Sequence, residues 1–330
     1  MKKLITVIMP VYNTAKYLKD SIESIINQNI DSLELIIIND GSTDNSAEII
    51  NEYVSKYEFL KCITQSNQGQ GSARNKGIQL STGKYIYFMD SDDILELNAL
   101  KTITDKLEEF QLDALFFDGK SFMDEENNQH YHRDLGRTNY SRKRSYGLFN
   151  SGQELWSQLI KHNDYTVSPC LYVLKKEVIM NNELFFEEGI IHEDQLFSTL
   201  LFFSLNKCAH YNWEFFKRRI RDGSTMTSSH IERKLNGYIE VFNKLTSFYS
   251  EASFKTEFIK NQFKEYLSEI LILISLTANV INIRFNSKTL SEVRKNAIKH
   301  SYFSKKAYLA CKYVKLYVIL SRIKNKPLRG

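Results

Sequence analysis

The chain has 330 residues, 42% of them hydrophobic and 25% charged, which suits one large globular domain with an appendage or two domains. Its four cysteines (Cys62, Cys170, Cys208, Cys311) form no C-x-x-C pair, and it has only three prolines. These counts argue against a cysteine metal site, a disulfide framework and long disordered linkers, and they fit buried thiols in a reducing cytoplasm. Net charge is +5, but eleven Lys/Arg and no Asp/Glu lie between Arg294 and Gly330, leaving 33 basic against 39 acidic residues elsewhere; a negative body with a basic tail argues against a nucleic-acid-binding protein.

The N-terminus, "MKKLITVIMPVYN", imitates a signal peptide, but its apolar run is short and lacks a small-residue cleavage site. It reads as a first buried strand over 4–12. The spacing of Leu18, Ile22, Ile25 and Ile26 predicts a helix over 14–28. Strands follow at 33–40, 61–67, 84–90 and 113–122, alternating with helices at 43–58, 69–81 and 94–110. Continuous apolar strands alternating with amphipathic helices predict a parallel sheet covered on both faces. Residues 123–148 are polar and aperiodic, an exposed loop or a substrate-covering flap. A helix (151–162), a strand (170–175), an apolar helix opened by acids (192–207), and a strand with a following loop (209–229) come next. From 231 the pattern is helical to the end. Its longest apolar run, "ILILISLTANVINI" (270–283), falls short of a membrane span.

Polar clusters sit where the early strands end, and ligands of such sheets bind at the carboxyl ends of strands. "IIINDGSTDNS" (36–46) puts Asp40 at the rim, able to accept from a base N–H, with Thr43 or Asp44 as cap of the next helix. "QSNQGQGSARNKGI" (65–78) surrounds Arg74 with small residues at a helix start, where backbone can approach an anion; it is neither a P-loop nor a G-x-G-x-x-G fingerprint. "GKYIYFMDSDDIL" (83–95) carries Asp90, Asp92 and Asp93 at a strand end. Two such carboxylates suit Mg²⁺ or Mn²⁺ shared with a substrate's phosphates, while a solvated turn with Asp92 or Asp93 as helix cap is the bland reading. "HEDQLF" (192–197) places Glu193 and Asp194 at a helix start, as dipole partners or a general base. "FKRRIRDGSTMTSS" (216–229) puts Arg219 and Arg221 on one strand face, able to clamp a diphosphate or simply to solvate an edge.

In this order, "VIMPVYN", "IINDGSTDNS", "NQGQGSARNKGI", "YIYFMDSDDIL", "HEDQLF" and "RIRDGSTMTS" make the chain resemble a bacterial family 2 glycosyltransferase over residues 3–230. The resemblance implies an α/β GT-A fold, with a Rossmann-like, mixed, mainly parallel sheet flanked by helices (1–230), and leaves a helical C-terminal region (231–330). It implies an inverting transferase that moves a sugar from a nucleotide-diphospho-sugar, usually UDP-linked, to an acceptor hydroxyl, with Mn²⁺ or Mg²⁺ as cofactor. Bacterial surface polysaccharide synthesis (capsule, O-antigen or exopolysaccharide) is the setting it suggests. On the matching positions, Pro10, Val11, Tyr12 and Asn13 would line the nucleoside pocket. Asp40 would bind the base edge, and Asn67, Gly69 and Arg74 would flank the nucleotide. Asp90 and Ser91 would approach the ribose or sugar, and Asp92 would ligate the metal. Asp194, beside Glu193, would be the catalytic base, and Arg219, Arg221 and Ser224 would close over the diphosphate. Asp93 remains a plain cap. The rival readings are a nucleotidyltransferase and a non-catalytic nucleotide-sugar-binding protein.

The tail puts Phe303, Ala307, Ala310, Val314 and Tyr317 on one stripe, with Lys305, Lys312, Lys315 and Arg322 largely off it. A basic amphipathic helix fits an anionic membrane surface. That would place a cytoplasmic protein on the inner face of the cell membrane, near a lipid-linked saccharide acceptor. A helix packed on the body or in a homodimer is the competing reading.

Overall fold

The computed structural model describes residues 4–123, 140–220, 231–300 and 304–324. The chain divides into two compact units, one of Met1–Gly189 with Phe197–Ser228, the other of Ile190–Leu196 with Ser229–Gly330. The sequence boundary was expected near 230; the second unit takes up the chain from Ser229 and also holds the short 190–196 segment.

In the first unit, β1 (Ile5–Val11), α1 (Ala15–Ile26), β2 (Leu33–Asn39), α2 (Ser46–Lys56), β3 (Leu60–Thr64), α3 (Gln70–Leu80) and β4 (Tyr85–Phe88) follow the predicted alternation. Strands β1, β2 and β4 are buried along their whole length, as uninterrupted apolar runs require. Next come β5 (Ile94–Leu95), α4 (Ala99–Phe110), β6 (Ala114–Met123), β7 (Gly147–Phe149), α5 (Gly152–Lys161), β8 (Tyr172–Lys175) and α6 (Lys176–Asn181). α7 (Glu193–Ser204) begins in the helical unit, and β9 (Cys208–Ile220) closes the first. The sheet order is β3-β2-β1-β4-β8-β6-β9-β5, with β7 paired to β9. β3, β2, β1 and β4 run parallel, as does the β6–β9 pair, whereas β8 is antiparallel to both β4 and β6. The sheet is therefore mixed, and more antiparallel in its second half than the strand pattern alone predicts.

One prediction needs correction. The helix expected from Ile94 starts at Ala99, because Ile94 and Leu95 pair with Lys217 and Phe216 of β9. Neither Asp92 nor Asp93 caps it; the cap position is Asn98, in left-handed conformation. The expected strand ends at 40, 67 and 90 are each trimmed by one to three residues, so Asp40 and Asp90 lie just past the strands, in the connecting turns.

Small residues let α3 lie close on the sheet. A methyl at Gly77 would stand 2.3 Å from Ile8 Cγ2, and Gly71, Ser72 and Ala73 are buried along the same helix. This close seat brings Arg74 down to the rim. At the opposite, amino end of the strands, buried Glu34 accepts bonds from Thr6 Oγ1 (2.7 Å), Lys61 Nζ (3.0 Å), and Thr82 N (2.8 Å) and Oγ1 (2.9 Å). Burial pushes its pKa up, but these donors outweigh it and hold the carboxyl below its ordinary value.

A second polar knot locks β6 to β9. Asp118, fully buried, accepts from Arg142 N (2.9 Å), Arg142 Nη1 (2.7 Å) and the His210 ring at Nε2 (3.0 Å). Arg142 also donates to the Phe117 and Asp164 carbonyls, and Tyr146 donates to the Asp164 carboxylate. The Tyr140 and Gly119 backbones bond each other in both directions, so the chain re-enters the described structure tied to β6. The flap expected at 123–148 lies largely outside the described residues.

The helical unit holds α8 (Ile231–Glu251), α9 (Glu257–Val280), α10 (Ser291–Lys299), α11 (Lys305–Lys312) and α12 (Val314–Lys324). No helix among the described residues is long and apolar enough to cross a membrane. Ala307 and Ala310 of the predicted tail stripe are fully buried against Ile272 of α9, with Leu276 and Tyr317 alongside. That stripe therefore faces protein, as the packed-helix reading requires; Phe303 lies outside the described residues.

Removing one side of the buried Asp118 knot should be costly. Arg142→Met leaves a charge in the core without its partner, and unfolding in urea should show a loss of about 3–5 kcal/mol. A loss under ~1 kcal/mol, the range of surface pairs, would show the knot to be dispensable.

Candidate active site

Four parallel strands end side by side, and the turns that follow them carry most of the residues singled out in the sequence. After β1, Pro10 and Val11 are buried and Tyr12 turns outward, 48% exposed. Asn13 adopts a positive φ of 52° and its Oδ1 accepts from Thr43 N (2.7 Å), joining this turn to the one after β2. Gly41 (φ 74°) allows the next contact: a methyl there would stand 2.9 Å from Asn67 N. Asp44, expected as a cap, accepts from Ser46 N and from Ala15 N at the start of α1.

Asp40 is 3% exposed, and its carboxylate shapes the loop after β3. Oδ1 accepts from Gln65 Nε2 and Gln68 N, both at 2.9 Å, and Oδ2 from Gly69 N at 2.8 Å. Gly69 enters α3 with φ 90°, a conformation that favours glycine, and Asn67 stands exposed in the loop. The residue expected to read a base edge thus holds the loop after β3 in shape.

The turn after β4 is the electrostatic centre of the unit. Arg74, 2% exposed, reaches Asp90 through Nη2–Oδ1 at 3.0 Å and lies 5.1 Å over the Phe186 ring. Gln70 Nε2 donates to the same Asp90 oxygen at 2.8 Å. Ser91 is buried and shares a hydroxyl–hydroxyl bond of 2.9 Å with Thr14. Asp92 is half-buried. Asp93 is 5% exposed and accepts the Arg219 backbone N–H at 2.7 Å. Burial pushes the Asp93 carboxyl well above the usual carboxylate range, and the charges of Asp92 and Asp90 push it further, against a smaller pull from the Arg219 N–H and Arg218.

Arg219 is placed otherwise than the sequence suggested. Its side chain is 6% exposed and lies between the rings of Tyr17 (5.0 Å) and Phe122 (4.7 Å). Nε donates to the Asp92 carbonyl at 2.9 Å, and Nη2 to Asp20 at 3.0 Å. The guanidinium braces the Asp90–Asp93 turn from behind instead of standing free over a diphosphate. Arg221 and Ser224 lie outside the described residues. Asp20, Gln70, Asp93 and Thr14 are the residues that sequence reasoning missed or read as plain. Only Asp93 carried a signal, as the extra acid beside D-x-D.

Glu193 and Asp194 lie in the helical unit, in the first turn of α7. Glu193 is buried, Asp194 is half-buried, and Asp194 Oδ1 accepts from Gln195 N at 2.8 Å. The preceding His192 has a positive φ of 77°. Burial first, then the charge of Lys234, pushes its imidazole down to about 4, so it is neutral at neutral pH.

Among the described residues no three acidic, histidine or cysteine side chains converge as a metal cage. The donor set fits a different arrangement. A divalent ion that shares its coordination with substrate phosphates and water needs one or two carboxylates from the protein. The Asp90–Asp93 turn offers that, with three carboxylates within four residues.

The profile of "Glycosyl transferase family 2" matches residues 6–171, from the first strand through the carboxylate turn to the start of β8. The chain belongs to glycosyltransferase family 2. It is 28% identical over 249 residues to the glycosyltransferase GlyG of Streptococcus pneumoniae serotype 4, covering 75% of this chain and 81% of that one. It is 30% identical over 246 residues to the glycosyltransferase YibD of Escherichia coli K12, covering 73% and 69%. Among solved structures, Staphylococcus aureus TarS 1–349 in complex with UDP-GlcNAc superposes with a TM-score of 0.68 at 21% identity, over 99% of this chain and 93% of that one. This family 2 glycosyltransferase therefore has the GT-A fold, with helices following the catalytic fold in the chain. The nucleotidyltransferase and non-catalytic readings fall away.

Asp93 supplies a paired test in metal-free buffer. Asp93→Ala strands the Arg219 N–H and should cost about 1–3 kcal/mol. Asp93→Asn keeps an acceptor. Because the native carboxyl titrates above its unfolded value of about 3.9, the unfolded chain gives up its proton first and the wild type loses stability as pH rises past that value. Asp93→Asn lacks this loss, so its urea midpoint should gain on wild type from pH 4 to 7. Parallel curves would contradict the buried, neutral-leaning carboxyl.

Proposed function

We propose that this glycosyltransferase is an inverting, metal-dependent enzyme that moves a sugar from a UDP-linked donor to an acceptor hydroxyl in bacterial surface polysaccharide synthesis. The observation that carries the reading is the turn after β4, where Asp90, Asp92 and Asp93 crowd together beside Arg74 and the braced Arg219. The likeness to a TarS structure that holds UDP-GlcNAc supports a UDP-linked donor. A mannosyltransferase of Pyrobaculum calidifontis in complex with GDP-Man and Mn²⁺ also shares the fold, with a TM-score of 0.57 at 14% identity.

Tyr12, exposed at the end of β1, stacks on the nucleoside base, and the loop held by Asp40 carries Asn67 and Gly69 against it. Asp90, fixed by Arg74 and Gln70, meets the ribose or sugar hydroxyls. Asp92 would hold Mn²⁺ or Mg²⁺, which would supply positive charge to offset that of the diphosphate. Asp194 accepts the proton of the acceptor hydroxyl as that oxygen attacks the anomeric carbon. The bond to UDP breaks as the new glycosidic bond forms, so a single displacement inverts the centre and needs no enzyme nucleophile. Glu193, beside the base, is buried at the helix start.

The tail supports a place at the membrane through a different face from the expected one. Lys305, Lys306, Lys312 and Lys315 are exposed together with Tyr308 (48%), Tyr313 (50%), Leu316 (46%) and Leu320 (42%). Lysines interleaved with tyrosines and leucines suit an anionic lipid surface, where the stems and rings sit at headgroup depth. An enzyme docked there meets a lipid-linked saccharide acceptor.

Three measurements test these roles. Asp194→Asn should lower transfer at least a thousandfold while UDP still binds; full activity would remove Asp194 as base. Asp92→Asn should weaken manganese-dependent UDP binding at least tenfold, about 1.4 kcal/mol, and unchanged metal dependence would remove it as ligand. Exchanging Lys305, Lys306, Lys312 and Lys315 for Glu should end sedimentation with phosphatidylglycerol vesicles. Retained sedimentation, or a salt-insensitive dimer built on this face, would refute the membrane role.

A further inference from the structure

The family likeness says nothing of what the helices after 230 are for. Their contacts with the 190–196 segment, all within one compact unit, give an answer. Three contacts converge on that segment from α8 and α9. Gly237 on α8 lies so close that a methyl there would stand 2.0 Å from the Ile191 carbonyl oxygen and 3.4 Å from His192 Cδ2. The clash would be with backbone, so a flexible side chain could not absorb it. The next residue, Tyr238, stacks its ring on the His192 imidazole at 4.0 Å and 15°. From α9, the Tyr266 hydroxyl accepts from Gln195 Nε2 at 2.9 Å.

These contacts bracket Glu193 and Asp194 on both sides. His192, just before them, is held at φ 77°, a conformation that non-glycine residues keep only when their surroundings impose it. Its Nε2 is buried without a hydrogen-bond partner, so the ring is held by packing. Gln195, just after them, donates its backbone N–H to Asp194 Oδ1 and its side chain to α9. The charge of Asp194 is felt at the Tyr238 phenol, which burial first and then that carboxylate push above its usual value.

We propose that helices α8 and α9 are the positioning frame of the catalytic carboxylate, with Gly237, Tyr238 and Tyr266 as positioning residues. The proposal rests on Asp194 being the base. A base that starts a helix at the end of a loop has few local restraints. Activity depends on its carboxylate being held within about half an ångström of the attacking hydroxyl, and supporting contacts set that precision. Here glycine admits the loop backbone, the tyrosine ring fixes the residue before the acids, and the phenol fixes the residue after them.

The test separates positioning from folding and from donor binding. Tyr238→Ala, Tyr266→Phe and Gly237→Ala are compared with wild type in single-turnover UDP release, using the donor that gives most manganese-dependent release in a panel of UDP- and GDP-sugars. UDP affinity in manganese is measured by calorimetry, and folding by thermal melting. Tyr238→Ala and Gly237→Ala should lower the rate at least tenfold, and Tyr266→Phe severalfold, with UDP affinity within twofold of wild type. Tyr238→Phe, which keeps the ring, should restore the rate. Tyr266→Phe removes one oxygen atom and serves if either larger change unfolds the chain. Wild-type rates in folded Tyr238→Ala and Tyr266→Phe would overturn the frame. So would a loss confined to UDP affinity, or equal losses in Tyr238→Phe and Tyr238→Ala. Asp194→Asn runs beside them: if it is inactive while the frame variants are normal, only the frame falls; if it is active, the base reading falls and the frame with it.

Discussion

The first unit is organised around an electrostatic problem. Three aspartates within four residues end a buried strand, and like charges that close cannot all be ionised without compensation. The fold answers from two sides. Arg74 comes from α3, which can sit low on the sheet because its residues there are small. Arg219 comes from the last strand, ring-stacked and tied to the turn's own carbonyl. Of the other two acids, Asp92 is half-buried, and Asp93 is sealed and accepts the Arg219 backbone N–H. The two arginines thus hold the shape of the turn from opposite elements of the unit.

Much of this was legible in the sequence where local pattern and final environment agree. Strands β1, β2 and β4 are mainly apolar because both faces are covered, and the polar residues that end them fall at the rim. Asp40, Arg74 and Asp90 could be placed on that logic. The start of α4 could not. Two acids followed by Ile-Leu look like a helix cap, but β9 captures Ile94 and Leu95 as a strand, and a pairing with residues over a hundred positions away leaves no local trace. Arg219 was misjudged for the same reason. Alternation gave its face in the strand, while its partners Asp20, Tyr17 and Phe122 come from elsewhere in the chain. The tail stripe was correctly seen as apolar, but periodicity does not say whether such a face meets protein or lipid; α9 covers it.

Glu193 and Asp194 belong to a segment of only seven residues, Ile190–Leu196, which groups with the helices that follow the sheet. Sequence reading assigned it to the catalytic fold because the motif order places it there.

Gly237 gives that partition a practical meaning. With no side chain at this position the helix and the 190–196 backbone fit as a lock fits one key, and any other residue would meet the Ile191 carbonyl oxygen. When relatives are recombined by an engineer, the natural cassette is therefore discontinuous. The seven residues must travel with the helices, and a crossover placed only at the end of β9 would join a loop to a helix that was never shaped to receive it.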